Sequence, residues 1–95
     1  MRLAILREPK SPDADPAALA LEALGWILID ENRADRLLSL TGMTPQDLRN
    51  GLADKTILAA VLEFLSGHEP DLIEAAVALG VRPEALVHAG QALSA

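Results

Sequence analysis

The sequence contains no cysteine and no tyrosine, and its only aromatic side chains are Trp26 and Phe64. Without cysteine there are no disulfides, no thiolate nucleophile, and no Cys-ligated zinc or iron–sulfur cluster, which fits a reducing cytoplasm. Imidazole is scarce too: His68 and His88 are the only histidines. "GHEPDL" begins like a zinc-protease helix, but the second histidine of that motif would fall at Leu72. No acids alternate toward a glycine as a calcium loop requires. No glycine-rich phosphate loop is present, and no nucleophile stands beside a base. These absences predict a protein that is not an enzyme, with no catalytic residue, no metal and no cofactor.

Positive charge is also in short supply. Lys10 and Lys55 are the only lysines, six arginines are scattered, and the formal net charge is −6. Such a chain repels phosphate backbones and anionic membranes. Long apolar runs are missing as well. Leu3 to Leu6 is too short for a secretory core, and Leu19 to Ile29 is interrupted by Glu22. A spanning helix needs about 18 apolar residues, so no membrane association is expected and the predicted location is cytoplasmic.

What the chain does have is aliphatic bulk. Half of its 95 residues are hydrophobic, nearly all Leu, Ile, Val and Ala. That composition favours packed helices over a sheet sandwich. Residues 1–14, with two prolines and no apolar periodicity, read as a flexible N-terminal segment, and residues 15–95 as a single helical domain. Asp15-Pro16 opens a helix to about Ile29, since Asp caps and Pro suits the first helical position. It is apolar on most sides, with Leu21, Leu24 and Leu28 on one face, so a central buried helix is expected. Asp30 or Asn32 caps a second helix that carries Ala34, Leu37, Leu38 and Leu40 inward and ends at Thr41-Gly42. A short third helix follows Thr44-Pro45, with Leu48 and Leu52 inward. Asp54 caps a fourth, whose stripe is Ile57, Leu58, Val61, Leu62 and Leu65. Glu69-Pro70 opens a fifth with Ile73, Ala76, Val77 and Leu79, and Arg82-Pro83 a sixth with Leu86, Val87 and Leu93. No strand-like alternation survives. The expected fold is all-α, a compact bundle of five or six short helices.

One phrase is written twice, "LLSLTGMTPQDL" from Leu37 and "AAVALGVRPEAL" from Ala75. Gly42 and Gly80 stand where a left-handed residue ends a helix. Pro45 and Pro83 occupy first helical positions, and Thr44 caps with Asp47 as its reciprocal acid. The repeat therefore reads as a tight helix–corner–helix connection used twice. A DNA-reading helix-turn-helix shares this spacing and is the alternative function. It needs cations for phosphates and donors for bases, yet "PEALVHAGQALSA" holds no Lys or Arg. Nucleic acid is not the expected partner. "DENRADR" reads as solvated pairs, Asp30 or Asn32 with Arg36, or as a partner-binding surface.

So much apolar side chain in so short a chain leaves either a very full core or an exposed apolar patch, and such patches mark interfaces. The function expected is a non-catalytic protein–protein interaction module that self-associates as a homodimer. Trp26, Ile27, Phe64 and Leu65 are the candidate interface anchors, because large apolar groups dominate interface energies. Plain core is the competing reading for all four.

At "ALGWILIDENRADRLLSLTGMTPQDLR" the sequence resembles a family of small bacterial proteins, domain-of-unknown-function family 3572. The similar stretches are Ala23 to Leu28, Asp30 to Arg33, Leu38 to Arg49, Ile57 to Leu65 and Gly80 to Glu84, within about Ala17 to Leu93. The corner phrase is the most specific of them. The resemblance implies a domain and brings no catalytic residue or activity with it.

Overall fold

A computed structural model describes residues 15–95, and the expectation for residues 1–14 lies outside the described residues. Six helices follow in order: α1 (Pro16–Ile29), α2 (Glu31–Thr41), α3 (Pro45–Asn50), α4 (Lys55–Ser66), α5 (Glu69–Leu79) and α6 (Pro83–Ser94). The described residues contain no strand. The protein is an all-α bundle.

Local chemistry sets each boundary. The Asp15 carboxylate accepts from the Ala17 N–H at 3.1 Å, with Pro16 in the first turn. Asp30 serves two helices. Its N–H donates to Ile27 O and closes α1, while its side chain accepts from Asn32 N at 2.8 Å and Arg33 N at 3.2 Å to open α2. Thr44 and Asp47 complete a reciprocal capping box on α3. Asp54 accepts from Thr56 N to start α4.

The two corners share a glycine and differ in their bonds. Gly42 and Gly80 both have left-handed backbone, φ 76° and 71°, which a side-chain-bearing residue adopts only at a cost of about 1–2 kcal/mol. At Gly80 two bonds close the helix, Gly80 N to Val77 O and Val81 N to Ala76 O. At Gly42 a single bond runs to Leu38 O. Thr41 accounts for the difference: its hydroxyl donates to Leu37 O and accepts from Met43 N at 3.3 Å. That N–H is therefore taken by a side chain instead of an earlier carbonyl. The second corner has no side-chain cap, only Pro83 in the first turn.

Helix α4 is the hub. It buries Leu58, Ala59, Val61, Leu62, Phe64 and Leu65. Its most extensive packing is with α6, where a Cβ on Gly90 would lie only 3.2 Å from that of Leu62. Helix α1 crosses both. It buries one side alone, Leu19, Ala20, Ala23, Leu24 and Ile27. Fully burying a side chain of the Leu or Ile class contributes about 1.5–3 kcal/mol.

Several inward expectations are corrected. Leu21 and Leu28 are exposed by 40% and 48%, and Ile29 is nearly free. Four helices, α2, α4, α5 and α6, pack against α1, and among the described residues nothing covers its outer side. Leu40 is 74% exposed: it stands in the last turn of α2, one turn beyond the buried Leu37, on the wall of an open groove rather than under another helix. Leu52 follows α3 on an exposed turn and is 45% exposed. Ile73 and Val77 face out from α5, where Ala75 and Ala76 make the contact instead.

Candidate functional site

The sequence-predicted anchors divide between core and core edge. Ile27 and Leu65 have no exposed surface and Phe64 has 8%. All three belong to the core of the single chain, which corrects their reading as interface residues. The cause is placement: Ile27 lies on the buried side of α1, and Phe64 and Leu65 lie on the hub helix. Trp26 is half-buried, and Arg33 covers it. The guanidinium carbon lies 3.6 Å from the ring centroid, and its Nη2 donates to Trp26 O. Arg33 also faces the Asp30 carboxylate at 3.6 Å, while its buried Nε has no protein partner. Trp26 and Arg33 thus lock the corner between α1 and α2. Gly42, Thr44, Pro45, Gly80 and Pro83 occupy the two helix corners.

The expected Asp30 or Asn32 pairing with Arg36 gives way to a longer tie. Arg36 Nη1 donates to Asp71 Oδ2 at 2.8 Å, and His68 Nδ1 lies 3.1 Å from the same oxygen. Asp71 is a buried carboxylate in the first turn of α5, so this pair fastens α5 to α2. Sequence reasoning missed it, because the partners stand 35 residues apart. The cluster flanks an open groove of about 540 Å³ whose walls include Arg36, Leu40, Glu63, Phe64 and His68. Its cation is already paired with a buried acid. Among the described residues no group of three or more His, Cys, Asp or Glu is placed to hold a metal ion.

A second groove has a different character. Leu24 and Leu28 of α1, Ala34 and Leu38 of α2, and Pro45, Leu48, Arg49 and Leu52 in and after α3 line about 360 Å³. Arg49 is its sole charged residue, and Arg49 also donates to Gln46 Oε1 on α3. Short α3 creates the space. The capping box and Pro45 fix its direction, Leu48 alone of its residues is buried, and the chain turns away at Gly51 before Leu52 can be covered. A Cβ on Gly51 would stand 2.6 Å from Ile57 Cγ1, so only glycine lets the turn sit that close to α4. The groove runs through Leu28 onto the open side of α1, where Ala18, Leu21, Gly25 and Ile29 are exposed.

Helix α6 stands where a recognition helix would. It buries Ala85, Leu86, Ala89, Gly90 and Leu93 and presents no cation. Residues 13–95 match the family described as "Protein of unknown function (DUF3572)". The chain belongs to that family. The match begins just before α1 and takes in all six helices, so groove and corners both lie within the family's domain. No curated protein and no solved structure is significantly similar to the chain. No helix among the described residues is long and apolar enough to cross a membrane.

Proposed function

We propose that this protein is a non-catalytic protein-interaction module and that the apolar groove between α1, α2 and α3 is where its partner binds. The carrying observation is the groove's lining: seven of its eight residues are apolar, with Leu28 and Leu52 each about half exposed. Covering an apolar surface of this kind gains about 25 cal/mol per Å² removed from water. A concave apolar strip between helices suits an apolar helix face from a partner, which anchors at positions three, four and seven apart. Arg49 at the rim supplies a charge-assisted contact to orient it. The chemistry-bearing side chains sit elsewhere: Asp71 and Arg36 hold helices together, and Asp30, Thr44, Asp47 and Asp54 cap them.

The test is the apparent size of the protein in extract of its native cell. The full chain is expected to run in an assembly larger than itself, and a Leu28→Glu/Leu52→Glu variant at its own mass with its helix content kept. Equal assembly size for both proteins would contradict the reading.

A further inference from the structure

The open side of α1 carries a pattern that packs against nothing among the described residues. Ala18, Leu21, Gly25 and Leu28 fall at spacings of three, four and three, which is the seam of a helix that packs on another helix. All four are exposed. Gly25 is the telling member. A mid-helix glycine costs up to about 1 kcal/mol relative to alanine. Its backbone is ordinary helix, and a Cβ built there meets nothing within 4 Å. Nothing among the described residues calls for a glycine at that position.

We infer that this seam packs against the same seam of a second copy, antiparallel, about a two-fold axis at the level of Ala23. The register supports that occupant. Reversing α1 about Ala23 sets Leu28 of one copy over Ala18 of the other and Leu21 over Gly25. Each large side chain meets a small one, and one axis satisfies both pairs, as a self-complementary two-fold contact requires. Small residues under the leucines bring the helix axes toward the near end of the usual 8–10 Å range. The inference rests on reading this face as a contact surface.

Area and charge set the strength. A standard stable interface takes about 800 Å² and 20–30 residues from each partner. The open side of α1 is a strip along one helix and falls short of that, so the contact is a weak one that forms only at high protein concentration. Each copy carries a net charge of −6, and Glu22 is the only charged residue of α1. Salt therefore strengthens the contact by screening repulsion, whereas it would weaken binding of a basic partner helix.

The absence of cysteine makes the test clean. Full-length Ala18→Cys and Leu28→Cys proteins are oxidised separately and as a mixture. A disulfide-linked dimer is expected from the mixture, and only monomer from either alone. Gly25→Leu is expected to weaken association about tenfold or more, with equal or higher melting temperature because the site is open. Cross-linking in either single sample, none in the mixture, or a monomer up to 1 mM would overturn the pairing. A monomeric protein that still runs in a larger assembly in cell extract would overturn this pairing and leave the interaction reading standing.

Discussion

Gly51 and Asp30 are small groups on which helix placement turns. Gly51 is buried at the end of α3, with the Asp47 carbonyl 2.9 Å and Ile57 Cγ1 2.6 Å from where a methyl would stand. Gly51→Ala is expected to destabilise by about 1–3 kcal/mol through overpacking, read by chemical denaturation. Asp30 makes a pH-dependent contribution. The Arg33 N–H, aided by that of Asn32 and the nearby Arg33 and Arg36 charges, holds its carboxyl below the ordinary aspartate value, against a smaller opposing effect of desolvation. A group with a lowered folded pKa binds its proton more readily when the chain is unfolded. Its stabilisation is therefore full above the unfolded value of about 3.9 and is lost as pH falls through the lower folded value. Asp30→Asn is expected to flatten that part of the acid side of the stability profile. An unchanged acid limb would contradict this role.

At the scale of elements, the buried tie between α2 and α5 matters most. Arg36 is 41% exposed in its side chain while Asp71 is 8% exposed, so solvent screens one partner only. Asp71→Ala is expected to cost about 1–3 kcal/mol, the range for a charge-assisted bond broken at a buried group, measured by urea unfolding. Arg36→Ala should cost more than Asp71→Asn, because it leaves the buried carboxylate without its cation. The helices themselves were legible from local signals. Asp15-Pro16, Asp30, Thr44-Pro45 and Asp54 announce their starts, and Gly42 and Gly80 announce two of their ends. Those signals act within a few residues, which is why the sequence carries them. The Asp71 tie was not legible, since the packing of α5 on the bundle decides which acid Arg36 reaches. The inward faces were legible only in part. Leu24, Leu37 and Leu58 were read correctly, but Leu21, Leu40, Leu52, Ile73 and Val77 carry the same periodic pattern and stand exposed. Periodicity tells which residues share a face, and the number of neighbouring helices decides whether that face is covered.

For the whole molecule, the same limit explains the candidate anchors. Trp26, Ile27, Phe64 and Leu65 were chosen for size, and the fold uses them at or within its core. The open apolar surface falls instead to Leu21 and Leu28 on α1 and Leu52 after α3, residues expected to face inward, where no helix among the described residues covers them. An exposed strip of this kind is the property on which the functional reading depends. A photo-reactive side chain placed in turn at Leu21, Leu28, Leu40, Leu52, Ile73 and Val77 and activated in the native cell tests it most directly. Discrete protein adducts are expected from positions 21, 28 and 52, and none from 40, 73 and 77. Adducts from the second set, or from no position, would contradict the account.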